Sequence, residues 1–154
     1  MFKKKCSILC VLLLAVGLIA GCATRSSMAY TYNVETGDSV RIELNTKDGY
    51  SMTSNIPFSI SKDGEDLMQG SFMNEDGYDL YWDAVSNDPN AKNIQEGTTP
   101  EGNQYFCWNF KDQEFNYCVQ VKDGKCGVIL GCIVSPEVSK ECFSRLSITL
   151  GDKK

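Results

Sequence analysis

The sequence predicts an α+β fold, mainly an antiparallel β-sheet with two helices at about residues 78–86 and 136–145. Three observations predict it. Apolar and polar residues alternate along several segments, which is the two-residue period of a half-buried strand. Asp-Gly pairs, which are frequent in β-hairpin turns, separate such segments. Two further segments carry helical spacing or helix start signals, and strands grouped around few helices are typical of the α+β class.

Alternation predicts the strands of the first half. One strand is expected where apolar residues alternate with charged or polar neighbours, at Val40, Ile42 and Leu44. The Asp48-Gly49 pair follows as a turn. A hairpin is expected around Asp63-Gly64, because apolar residues flank that pair on both sides. These residues are Phe58 and Ile60 before the pair, and Leu67 and Phe72 after it.

Aromatic residues mark the first helix. Four residues follow the spacing i, i+3, i+4, i+7, which places them on one face of a helix. They are Tyr78, Tyr81, Trp82 and Val85. Pro89 ends this helix. The aromatic side chains either belong to the core or, with Trp108 and Tyr117, line a ligand groove. A strand near Ile94 is expected next, closed by a turn at residues 99–102.

The most regular region is a hairpin that begins at Gln104. Apolar residues alternate on both arms, at Phe106, Trp108 and Phe110 and then at Phe115, Tyr117, Val119 and Val121. A turn at residues 111–114 pairs Trp108 with Tyr117 and makes one face entirely apolar, which a slip of one residue would destroy. The same register predicts Cys107 opposite Cys118. These two form a candidate disulfide, because opposed strand residues can have β-carbons at disulfide distance.

The remainder of the chain is predicted as strand, helix and strand. A turn at Asp123-Gly124 leads into the apolar run of residues 128–130. Ser135 then resembles an N-cap with Pro136 in the first helical position. Val138, Cys142 and Leu146 share one face of this helix, and residues 146–150 are expected to close the sheet as a final strand.

The first 22 residues read as a secretion signal. Lys3, Lys4 and Lys5 form a basic start, and a nearly unbroken apolar run follows. That run is shorter than the roughly 18–20 residues needed to span a bilayer, and it ends in small residues, as cleavable signals do. The final four residues, Ile19-Ala20-Gly21-Cys22, resemble the lipobox of bacterial lipoproteins: an aliphatic residue, two small residues and a cysteine.

This resemblance implies a division of the chain and a location. Residues 1–21 would be the signal peptide, cleaved between Gly21 and Cys22, and the Cys22 sulfur would carry diacylglycerol. Residues 22–29 would be a lipidated tether and residues 30–154 a single domain, held at the extracytoplasmic face of a bacterial membrane. Two acyl chains make such an anchor stable, whereas one binds only marginally. The alternatives are an ordinary secretory signal with a coincidental cysteine, or an uncleaved anchor. The domain itself resembles small uncharacterised bacterial lipoproteins and, in architecture only, PsbP and Mog1 proteins.

Charge and cysteine content exclude several functions. The chain has 15 basic and 20 acidic residues, so removing the three signal lysines leaves 12 against 20, a net charge of −8. This acidity disfavours binding to nucleic acid. The chain has no histidine, which excludes Ser-His-Asp and Cys-His catalysis and histidine-ligated metals.

Eight cysteines divide into three in the targeting segment and five in the domain. The five are Cys107, Cys118, Cys126, Cys132 and Cys142. An odd number leaves at least one thiol unpaired within the chain. No two of them have the close spacing of zinc ligands, so no metal or cofactor is predicted. If Cys107 and Cys118 are not bridged, they are reduced thiols that pack as small apolar side chains.

No catalytic signature stands out, and the prediction is therefore a non-catalytic protein. The leading hypothesis is a membrane-anchored lipoprotein with a binding or envelope-associated domain whose protein or small-molecule partner is unknown. One alternative is a cell-surface hydrolase that uses paired carboxylates, which meet only in the folded chain. Another is an accessory subunit that docks on a second membrane protein. Converging carboxylates would favour the hydrolase, and an exposed apolar patch would favour docking.

Overall fold

The computed structural model describes residues 26–152 and confirms the α+β class. It contains ten strands and two α-helices in this range. The strands are β1 (Ser27–Asn33), β2 (Ser39–Asn45), β3 (Tyr50–Met52), β4 (Phe58–Lys62), β5 (Glu65–Met73), β6 (Ala91–Thr98), β7 (Gln104–Phe110), β8 (Glu114–Gln120), β9 (Gly127–Cys132) and β10 (Leu146–Leu150). The helices are α1 (Gly77–Ser86) and α2 (Pro136–Ser144).

The strands form two antiparallel sheets. Seven strands make the larger sheet, in the order β3-β4-β5-β9-β8-β7-β6, and the smaller sheet has the order β1-β2-β10. Strand β9 returns between β5 and β8, which leaves β6 at one edge of the larger sheet and β3 at the other. The final strand forms at residues 146–150, as expected. It does not close the larger sheet, however, but pairs with β2 in the smaller one.

The larger sheet is covered on both faces. On one face, the smaller sheet packs through Tyr32, whose ring lies 6.0 Å from Phe58 and 5.1 Å from Phe72 between centroids. Helix α2 packs on the same face and contributes Cys142 to this main core. On the opposite face, helix α1 packs over Phe106 and makes a second, smaller core. The main core is thus a sandwich of the two sheets, extended by α2.

Two polar side chains connect the sheets. The Asn103 side chain is 1% exposed, donates to the Ile148 carbonyl at 2.8 Å and accepts from the Lys122 amide at 2.8 Å. The Asp38 carboxylate, in the turn before β2, accepts bonds from the amides of Lys125 and Cys126. Burial opposes ionisation of Asp38, but these amide bonds outweigh it and lower its pKa.

Both predicted helices are confirmed. The first spans Gly77–Ser86, ends before Pro89 and buries Val85. The second begins as expected, with the Ser135 hydroxyl accepting a bond from the Val138 amide and Pro136 in the first turn.

The N-terminal boundary of the domain differs from the prediction. Strand β1 begins at Ser27, inside the predicted tether of residues 22–29, so the domain starts before residue 30.

The predicted register of the central hairpin is wrong by one residue. Cys107 lies opposite Tyr117, and Cys118 lies opposite Phe106. Neighbouring positions on a strand face opposite sides of a sheet, so Cys107 lies on the α2 face and Cys118 on the α1 face. Both are free thiols, and the candidate Cys107–Cys118 disulfide is not formed. The prediction assumed one buried face, whereas both faces of β7 and β8 carry core side chains.

Within residues 26–152, neither helix is long and apolar enough to cross a membrane.

A candidate binding groove on the larger sheet

The lipobox prediction concerns residues outside the described part of the chain. Gly21 and Cys22, with the predicted cleavage and lipidation between them, precede residue 26, where the described structure begins. Cys22 accordingly stays a sequence prediction.

The five domain cysteines are free and mostly buried. Cys118, Cys126, Cys132 and Cys142 lie in the two cores, and Cys107 is half-buried. Burial raises the pKa of Cys118 to about 12 and that of Cys126 and Cys142 to about 11, and it also raises the pKa of Cys107. Thiols with raised pKa values are poor nucleophiles at neutral pH. No group of three metal-ligating side chains occurs among residues 26–152.

The predicted aromatic groove does not form as one site. Tyr78 and Trp82 meet Phe106 edge to face, both at 5.2 Å between centroids, and so belong to the smaller core. Tyr117 lies on the other face of the sheet, stacked on Phe143 at 3.9 Å. Tyr81 is 40% exposed and rests against Trp108.

Helix α1 covers only part of its face of the larger sheet. Beside it, the same face remains open over β5, β9 and β8 and forms a groove of about 500 Å³. This volume lies within the range of small-ligand sites. We call this feature the sheet groove. Three residues form its floor. Strand pairing places Gln69 on β5, Gly131 on β9 and Asn116 on β8 directly opposite one another.

Two side-chain amides on the floor of the sheet groove are available for hydrogen bonding. The side chains of Gln69 and Asn116 have no hydrogen-bond partner among the described residues, although each offers two donors and an acceptor. Gly131 keeps the space between them open, because a β-carbon there would lie 3.2 Å from the Asn116 Oδ1 atom. Such groups at the bottom of a groove can bind a ligand through directed hydrogen bonds.

The walls of the sheet groove are mostly apolar. Leu67, Ile129 and Pro57 line it, and Ile133 stands at its end with 81% of its surface exposed. Exposed apolar side chains beside unpaired polar groups are typical of binding sites.

Two carboxylates, Asp66 and Glu114, also line the sheet groove. Both residues are exposed, and the Asp66 carboxylate accepts a 2.7 Å bond from the Ser61 hydroxyl. A glycosidase-type general acid needs a carboxyl group in a desolvated environment. Solvent-exposed carboxylates instead add negative charge to the groove. The sequence had given no signal for Gln69, Asn116 or Gly131 as site residues.

No protein-family model, curated protein or solved structure matches this chain.

Proposed function

We propose that this chain is a lipid-anchored extracytoplasmic protein whose domain binds an extended peptide segment in the sheet groove without catalysis. The observation that carries the proposal is the floor of that groove, where the Gln69 and Asn116 amides have no partner among the described residues and lie beside apolar walls. Anchoring at Cys22 rests on the lipobox resemblance of residues 19–22.

A peptide suits the chemistry of the groove. Its backbone offers donors and acceptors that pair with side-chain amides, and its apolar side chains can bury the exposed surfaces of Leu67, Ile129 and Ile133. Asp66 and Glu114 favour a basic peptide over an acidic one. Among the described residues that line the groove, none is positively charged.

The hydrolase alternative has weaker support. A carboxylate-dependent hydrolase needs a carboxyl group shielded from water, whereas Asp66 and Glu114 are both exposed. The docking alternative uses the same surface as our proposal, because the peptide segment can belong to a larger exported protein.

Peptide binding is tested by calorimetry on the full chain. We expect hexapeptides that alternate valine with lysine to bind with a Kd of about 1 mM or below, and the matching valine-glutamate peptides to bind about tenfold more weakly. Gly131→Leu should abolish binding, because its side chain would fill the groove floor. Gln104→Leu, on the same sheet face but outside the groove, is the matched control. Equal binding of basic and acidic peptides, or unchanged binding by Gly131→Leu, would contradict the proposal.

Lipid anchoring is tested by metabolic labelling of producing cells with radioactive palmitate. The parent chain should be labelled and Cys22→Ala should not, because the thiol is the acyl attachment point. Cys10→Ala, within the apolar run, is the control and should keep its label. A labelled Cys22→Ala chain would contradict the anchor.

A further inference from the structure

A second cavity, of about 730 Å³, lies on the opposite face of the larger sheet, where the smaller sheet and α2 meet the turn between β6 and β7. Ser26 and Ser27 line it, so it lies where the chain enters the described domain. We call it the entry cavity. It shares no lining residue with the sheet groove.

Three aromatic rings form one wall of the entry cavity. Tyr117 and Phe143 stack at 3.9 Å between centroids, and Tyr105 meets Phe143 edge to face at 4.9 Å. Gly97 gives Tyr105 its position, because a β-carbon on Gly97 would come within 2.5 Å of the Tyr105 hydroxyl. Aromatic faces attract organic cations.

Four charged side chains line the entry cavity, and two of them are already paired. Glu43 pairs with Arg41. The Arg145 guanidinium is held by Glu141 at 2.8 Å and Asp48 at 2.9 Å.

The other two, Glu101 and Lys140, have no ion-pair partner among the described residues. Glu101 is the more unusual, because its Oε2 atom is buried without any hydrogen-bond partner. A carboxylate oxygen that has lost water without gaining a donor is destabilising. A bound cation near this carboxylate would offset that cost. Lys140, on the exposed side of α2, would attract an anion to the same cavity.

We propose that the entry cavity binds a small zwitterion, with its ammonium group between Glu101 and the aromatic wall and its anionic group at Lys140. The cavity then satisfies both unpaired charges at once, which neither a simple cation nor a simple anion does. Two sources carry this chemistry: a free zwitterion, and a zwitterionic lipid headgroup. The second source rests on the proposed lipid anchor, which would attach only four residues before Ser26.

Calorimetric titration of the full chain in a non-ionic detergent tests the proposal, with phosphoethanolamine as the zwitterion. Ethanolamine and glycerol phosphate each carry only one of its charges. We expect phosphoethanolamine to bind at least about tenfold more tightly than either, and Glu101→Gln and Lys140→Gln each to weaken it about tenfold. Glu137→Gln and Lys125→Gln are exposed controls and should bind as the parent does.

Two results would overturn the zwitterion site: no binding of phosphoethanolamine at about 1 mM, or equal binding by folded Glu101→Gln. Near-ultraviolet circular dichroism checks that each variant is folded. Gly131→Leu should retain zwitterion binding, which separates this site from the peptide proposal. Vesicles with phosphatidylethanolamine, compared with phosphatidylglycerol vesicles, distinguish the sources. Tighter binding to the former than to free phosphoethanolamine assigns the lipid headgroup, and binding of the free compound alone assigns the soluble zwitterion.

Discussion

Phe106→Ala is expected to lower the free energy of unfolding by about 3–5 kcal/mol, which is the usual cost of deleting a buried phenylalanine ring. Phe106 is fully buried, and its ring contacts Tyr78, Trp82 and Trp108 at 5.2–5.3 Å between centroids. Tyr78 and Trp82 lie on α1 and Trp108 on β7, so the cavity left by alanine can be refilled only by moving these rings. Urea unfolding, followed by tryptophan fluorescence, measures the loss.

Two further variants make this prediction specific. Phe106→Leu keeps most of the apolar volume and should cost about 1–1.5 kcal/mol. Tyr81→Ala removes a ring of α1 that is 40% exposed and contacts Trp108, and should cost about 1 kcal/mol or less. If Phe106→Ala were as stable as Tyr81→Ala, the packing of α1 described above would be wrong.

Asn103→Ala is expected to cost about 2–4 kcal/mol, because it leaves two backbone groups without their partner. The Asn103 side chain is buried and bonds the Ile148 carbonyl in one sheet and the Lys122 amide beside the other. Asn103→Asp should also destabilise the fold, since a carboxylate cannot donate to the Ile148 carbonyl. Asn116→Ala is the matched control, because its amide has no partner among the described residues. Chemical unfolding that ranks Asn116→Ala with Asn103→Ala would contradict the bridging role.

Local patterns in the sequence predicted the local structure well. The second helix carries its own start signal at Ser135-Pro136, and the first carries its spacing and a stop at Pro89. The turn at Asp63-Gly64 forms as expected, with both residues at positive φ, which Asp and Gly tolerate better than most residues. The first strand was missed, although Met28, Tyr30 and Tyr32 alternate with small or polar residues and could have predicted it.

Sheet membership and register were harder to predict, for a physical reason. Alternation of apolar and polar residues predicts the register of two strands only when one face of the sheet is buried and the other is exposed to solvent. In the central hairpin, Tyr105 and Tyr117 pack on one side of the sheet and Phe106 and Trp108 on the other. The predicted register and the observed one, which differ by one residue, therefore both pair apolar side chains. The sequence pattern favoured the wrong one.

The candidate sites could not be read from the sequence for a different reason. The sheet groove exists because β9 inserts between β5 and β8, which brings Gln69 beside Gly131 and Asn116. No local pattern encodes that insertion. Likewise, Glu101 looked like an ordinary turn residue, and only the fold shows that one of its oxygens is buried without a partner.

The pairing of β10 with β2 has a consequence for the order of folding during synthesis of the chain. A chain that emerges from its amino terminus delivers β2 early, but the partner on one side of β2 is residues 146–150. Until that strand arrives, Ile42 and Leu44 lack part of their cover, although both are fully buried in the finished domain. Such long-range pairing slows folding and prolongs exposure of apolar surface. The domain must therefore complete its core only after residues 146–150 have been synthesised, as a whole and not piece by piece.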